Sequence, residues 1–223
     1  MPAGLKLIND YGTTQIDETY HNYLLRSKGS VTTTGPDTSQ GMNACSATIQ
    51  VSGTHPQIFF EANGAYICPG GRTISGSVHT FTIYTDVPAT LIYYVFDLNV
   101  PAAAGNFGLQ VFTGLGTLAY SSANRPMGVV SILSLASGSY FDVSPNGRKL
   151  AAALSFSRNN LQTVGMVGSQ PRIGFCHDSI RYLGSSVDAK RLVVKSFLGS
   201  FDMNYPFQTN YPPQIILIDV TNI

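Results

Sequence analysis

Gly4-Leu-Lys-Leu-Ile-Asn-Asp-Tyr-Gly-Thr13 and Gly108-Leu-Gln-Val-Phe-Thr-Gly-Leu-Gly-Thr117 are the stretches on which the reading of this chain turns. Gly4, Leu5, Gly12 and Thr13 return 104 residues later as Gly108, Leu109, Gly116 and Thr117, without a gap. The apolar pair Leu7-Ile8 returns as Val111-Phe112. Each half also closes alike, on an apolar run ending in aspartate: Leu91-Ile-Tyr-Tyr-Val-Phe-Asp97 and Ile215-Ile-Leu-Ile-Asp219. An Asn-Gly turn lies between these ends in each half, Asn63-Gly64 and Asn146-Gly147. Three landmarks in one order point to an internal duplication. Apolar residues followed by Asn, Asp and Gly read as a strand entering a tight turn, since these residues tolerate left-handed backbone. Both halves should therefore open with the same hairpin, with Leu5 and Leu109 buried in equivalent places, and Leu7 and Val111 likewise.

The rest of the chain is also written for strands. Val78-His-Thr-Phe-Thr-Ile-Tyr84 alternates, with Phe81 and Ile83 on one face and Thr80 and Thr82 on the other. Leu91–Phe96 does not alternate, as a strand buried on both faces would not. Lys149-Leu-Ala-Ala-Ala-Leu-Ser-Phe has helix-forming residues but is bounded by turns, and residues 18–28 are equally ambiguous. The expected fold is all-β: two small β-sandwich-like halves with at most one short helix. Residues 1–98 form the amino-terminal β-domain, 99–107 a Pro/Ala/Gly linker and 108–223 the carboxy-terminal β-domain.

Composition excludes several classes. Of 223 residues only 11% are charged, against about 25% in ordinary soluble domains. Thirteen basic against twelve acidic side chains leave a net charge of +1, so no basic surplus is available to neutralise nucleic-acid phosphates. An apolar content of 43% argues against disorder. The longest apolar run, near Val87–Phe96, is too short for the roughly 20 residues of a spanning helix. The opening Met-Pro-Ala-Gly-Leu-Lys has no basic region leading into an apolar stretch, so no signal peptide is expected. Cys45, Cys68 and Cys176 are odd in number and widely spaced, which reads as free thiols in a reducing compartment.

Motifs for chemistry are weak. Gly114-Leu-Gly-Thr-Leu-Ala119 mimics a dinucleotide fingerprint, but Tyr120-Ser-Ser-Ala-Asn-Arg-Pro126 follows where that motif needs a helix. Cys176-His177-Asp178 sets a nucleophile, a base and an orienter in a row, yet neighbours on a strand face opposite ways. His21, His55, His79 and His177 lie singly, with no metal-ligand spacing, and His79 reads as a buried, hydrogen-bonded histidine. No enzymatic activity and no cofactor or metal are expected. Phe201, Tyr205, Phe207 and Tyr211 crowd among three prolines in Phe201–Pro213. Prolines argue against a central strand there, so these rings are the candidate interface or ligand contact.

Gly108-Leu-Gln-Val-Phe-Thr-Gly-Leu-Gly-Thr-Leu-Ala-Tyr-Ser-Ser-Ala-Asn-Arg-Pro-Met127 resembles the "GLQVF…G…FDSS…R" segment of small tail proteins of long-tailed bacteriophages and prophages. Pro2-Ala-Gly-Leu5 resembles their opening, and Asn63-Gly64, Thr80-Phe-Thr82 and Tyr93-Tyr-Val-Phe-Asp97 resemble their "NG…TFT…YYVFD" stretch. The resemblance covers about residues 3–127 well and the remainder loosely. It departs at Ser121, which stands where the family has an aspartate. The resemblance implies a virion component of the tail tip or baseplate, assembled in the host cytoplasm in several copies against other tail subunits. It implies no active site. A receptor-binding module for a host surface glycan or protein is the alternative. A chain so poor in charge suits burial against other subunits, where each unpaired charge would cost desolvation.

Overall fold

A computed structural model describes residues 7–8, 14–16, 22–98, 108–116, 118–135, 140–199 and 211–223. The chain is all-β, and the helical content of these residues is one 3-10 turn at Thr38–Gln40. No helix among them is long and apolar enough to cross a membrane. A short hairpin, β1 (Leu7–Ile8) with β2 (Thr14–Ile16), precedes six strands: β3 (Leu24–Thr32), β4 (Cys45–Ser52), β5 (Gln57–Glu61), β6 (Ile67–Ser75), β7 (Val78–Thr85) and β8 (Thr90–Asp97). A second hairpin, β9 (Gln110–Phe112) with β10 (Leu118–Ser121), precedes β11 (Gly128–Ser134), β12 (Tyr140–Asp142), β13 (Leu150–Leu154), β14 (Asn159–Val167), β15 (Gln170–Tyr182), β16 (Ser186–Leu198) and β17 (Gln214–Asp219).

The strands form two large antiparallel sheets whose order is palindromic. The first runs β11-β17-β13-β5-β8-β3 and the second β12-β16-β15-β6-β7-β4, with β14 added beside β15. Setting β14 aside, each half contributes its first, sixth and third strands to one sheet and its second, fifth and fourth to the other. Connectivity is thus the same in both halves. Each half meets its copy through counterpart strands paired antiparallel, β5 with β13 and β6 with β15, as a two-fold axis through the seam would produce.

The registers match as well. Leu7 pairs with Ile16 and Ile8 with Thr14; 104 residues on, Val111 pairs with Tyr120 and Phe112 with Leu118. The same offset relates the edge strands. Leu24, Leu25 and Ser27 lie opposite Asp97, Phe96 and Val95, while Gly128, Val129 and Ser131 lie opposite Asp219, Ile218 and Leu217. Both ladders skip one residue at the same place, after Leu25 and after Val129. A shared bulge at a shared register is a specific backbone feature, not a composition effect.

The core follows the same plan. Ile49, Phe60, Ile67, Ile83, Leu91 and Val95 fill the space between the sheets in the first half. Leu150, Ala152, Ile180, Val187, Ile215 and Leu217 fill it in the second. The even-numbered residues of the closing strands face the other way: Tyr94, Phe96 and Ile218 pack with Phe59, Ala151 and Val220 on the outer face of the first sheet. The outer face is covered around Tyr94, Phe96 and Ile218, though Ile92 is exposed, and where both faces are buried the closing strands do not alternate. Both strands lie inside the sheet, each between two neighbours.

Several expectations need correcting. Leu109 is exposed at 43%, whereas Val111 is buried; Leu109 sits at the open end of the second hairpin, opposite Ser122 and outside the core. Asn63-Gly64 joins β5 to β6, but Asn146-Gly147 joins β12 to β13, so the two turns are not counterparts. The alanine-rich segment is strand β13, because its register between β5 and β17 outweighs helix propensity. Within residues 18–28, Leu24 onward is strand β3. Leu5, Gly12 and the linker 99–107 lie outside the described residues.

Candidate functional site

The seam is short. β5 and β13 share two residue pairs, Ala151 with Glu61 and Ala152 with Phe60, and β6 meets β15 at one, Ile180 with Ile67. Beyond these rungs the sheets part, and a cleft of about 510 Å³ opens between them. Its volume falls within the roughly 300–1,000 Å³ common to small-molecule sites. Ile58 and Phe60 of β5, Ile67 of β6, Ile83 of β7, Leu154 of β13 and Ile180 of β15 make the apolar wall. Glu61, Arg72, Ser157, Asn159 and His177 supply the polar groups.

One polar wall is built where the chain leaves β13. Ser157 donates its hydroxyl to the Asp178 carbonyl oxygen at 2.9 Å, and the same hydroxyl lies 3.5 Å from His177 Nδ1. Cys68 Sγ is 3.8 Å from Ser157 Oγ. The Asp178 carboxylate turns to Arg158, which donates through Nε at 2.7 Å and through its terminal nitrogen at 3.3 Å. His177 packs edge-on against Phe175, with ring centroids 4.7 Å apart. Burial pushes its pKa down, against the opposing pull of Asp178, so its ring is neutral near pH 7. Burial drives the Cys68 thiol up to about 12, leaving it protonated.

Serine, histidine and aspartate thus lie close together without forming a relay. Asp178 spends its carboxylate on an arginine and not on the imidazole, and the Ser157 proton points at a carbonyl. The result is a neutral hydrogen-bonding wall beside an apolar one. Glu61, the acid at the cleft, is held by Lys149 at 2.7 Å and by the Tyr94 hydroxyl, and its pKa is lowered although burial pulls the other way. Arg72 lays its guanidinium over the Phe81 ring at 5.9 Å.

The Cys176-His177-Asp178 run separates as alternation requires. His177 faces the cleft, whereas the buried Cys176 contacts the Gly174 carbonyl of its own strand, and burial raises its pKa. His79 is buried, with its Nε2 3.1 Å from the Gly53 carbonyl, as the alternation of β7 suggests. Among the described residues no three His, Cys, Asp or Glu side chains gather as metal ligands. Of the aromatic candidates, Tyr211 is described and is 79% exposed. Phe201, Tyr205 and Phe207 lie outside the described residues.

A second feature escaped the sequence reading. β14 has no counterpart in the first half, and it extends the second sheet into a three-stranded arm with one end each of β15 and β16. Arg172 sits opposite Gly165 on one side and Leu198 on the other, near the Gly168 turn. There Met166, Val167, Phe197 and Leu198 are all exposed. The weak sequence signal was the Gly-Ser pair at 168–169 between two apolar stretches.

No protein-family model, no curated protein and no solved structure matches this chain.

Proposed function

We propose that the chain is a structural component of a bacteriophage tail tip or baseplate, present in several copies and docked on neighbouring tail proteins. It works by binding and not by catalysis. The observation that carries the reading is the β14–β16 arm. The duplicated scaffold carries β14 in its second copy alone, and on the arm that β14 forms with β15 and β16 the side chains of Met166, Val167, Phe197 and Leu198 are exposed. Exposed apolar clusters of this kind mark protein interfaces. The tail-protein context comes from the sequence resemblance, and the low charge of the chain suits a subunit buried among others.

Mass spectrometry of purified particles from the phage that encodes the chain tests this directly. The chain should be present in several copies per particle, and its absence overturns the reading. A Met166→Ser, Phe197→Ser double variant should melt within a few degrees of wild type yet drop out of assembled particles. The receptor-binding alternative is favoured by Tyr211, whose ring is exposed and which belongs in sequence to the aromatic stretch Phe201–Pro213. In that case the purified chain should block adsorption of phage to host cells, and Tyr211→Ala should weaken the block.

A further inference from the structure

Beyond the docking role, we propose that the seam cleft binds a small amphipathic anion of the fatty-carboxylate class, its apolar body between the sheets and its carboxylate on Arg72. Four features of the cleft point to that chemistry. First, it lies at the seam of two packed sheets, where β5 leaves β13 and β6 leaves β15 after one or two rungs. Its size therefore follows from backbone divergence and does not depend on one side-chain rotamer. Second, the wall between the sheets is aliphatic and aromatic: Ile58, Phe60, Ile67, Ile83, Leu154 and Ile180. A sugar would leave its hydroxyls unmet against that surface, whereas an alkyl chain loses nothing there.

Third, the charge of the cleft has one sign. Glu61 is neutralised by Lys149 and Tyr94, His177 is neutral, and Arg72 has no carboxylate within ion-pair distance among the described residues. The Phe81 ring lies 5.9 Å from the Arg72 guanidinium carbon, a cation–π contact that leaves the charge available to an anion. The guanidinium fork matches a carboxylate in a two-point contact. Fourth, Ser157 and Asn159 offer hydrogen-bonding groups on the opposite wall for a polar substituent on the ligand body. Residues of both halves line the cleft, so the site exists only because the halves are joined at this seam.

The test is titration calorimetry of the full chain with decanoate below its micelle concentration, beside decan-1-ol and acetate. Decanoate should bind at one saturable site. Decanol should bind about tenfold more weakly for want of the anion, and acetate should not bind measurably for want of the apolar body. Arg72→Gln should weaken decanoate about five- to tenfold, the order expected for one charge-assisted contact at a partly exposed site. The same change should leave decanol affinity unaltered. Because Arg72 is exposed and makes no ion pair among the described residues, this variant should melt as wild type does. Leu154→Trp should fill the cleft and abolish binding of both alkyl probes, and Ile58→Trp provides a second blocker if the first melts early. Absence of saturable decanoate binding overturns the site. Equal binding of decanoate and decanol, unchanged in Arg72→Gln, overturns the anion assignment. Either failure leaves the docking role of the arm standing, since particle incorporation does not read the cleft.

Discussion

Asp97 and Asp219 close equivalent strands of the duplicated fold, yet they should differ sharply in what they contribute to stability. Asp97 is fully buried and accepts three backbone N–H groups: Thr54 at 2.9 Å, His55 at 2.8 Å and Leu98 at 2.8 Å, with Arg26 at 3.7 Å. It ties the β4–β5 turn to the end of β8. The fit is tight, since a β-carbon on Gly53 would lie 2.1 Å from Asp97 Oδ2. Among the described residues Asp219 accepts from Thr221 alone, through its hydroxyl and through its backbone N–H at 2.8 Å, and has a long, half-exposed contact with Arg148 at 3.9 Å. Each hydrogen bond to a charged acceptor contributes about 1.5–3 kcal/mol, and water reaching the exposed turn residues Thr54 and His55 recovers part of that loss. Asp97→Ala should therefore cost about 3–4 kcal/mol. Asp219→Ala should cost about 1 kcal/mol, because both its hydrogen bonds come from one partly exposed turn residue that water can serve instead, and the exposed pair adds little. At roughly 2–4 °C per kcal/mol for a chain of this size, melting should fall by about 6–15 °C and 2–4 °C respectively. Circular dichroism melts at pH 7 and urea titrations measure both variants. Equal losses, or an Asp97→Ala loss under about 1 kcal/mol, would refute the argument that burial and bond count separate the two copies.

Other outcomes follow from the same structure. His177 has a folded pKa lowered by burial, so the unfolded chain binds its proton more readily; stability should fall as pH drops below the ordinary histidine range near 6.5. His177→Phe should flatten that part of a stability–pH profile measured by urea unfolding between pH 7.5 and 5. Cys45, Cys68 and Cys176 are free, buried and shifted upward by burial, so a thiol reagent at pH 8 should label none in the native chain and all three in urea. Asn146 and Gly147 both have positive φ, at 50° and 78°, so Gly147→Val should cost about 1–2 kcal/mol in thermal unfolding although nothing crowds the site.

Local pattern by itself determined the strand character of this chain, because period-two alternation and turn chemistry act over a few residues. The Gly4 and Gly108 stretches revealed the offset of 104 that relates the two hairpins and the edge strands β3 and β11, bulge included. The unbroken apolar runs before Asp97 and Asp219 marked strands buried on both faces over most of their length, with Ile92 exposed. Position within the duplicated plan was less legible. Asn-Gly pairs specify a turn but not which strands it joins, so Asn63-Gly64 and Asn146-Gly147 resembled counterparts without being so. Leu109 could not be placed either, because a leucine at a strand's end is buried or exposed according to what packs over it. Only the tertiary structure decided the cleft and the arm. Glu61 and Ala151, or Ile67 and Ile180, are about 90 and 113 residues apart, and no local rule selects which edge strand meets which. The cleft exists where those non-local pairings stop. Ser157, His177 and Arg72 become neighbours of one space through backbone divergence that no short stretch of the chain encodes.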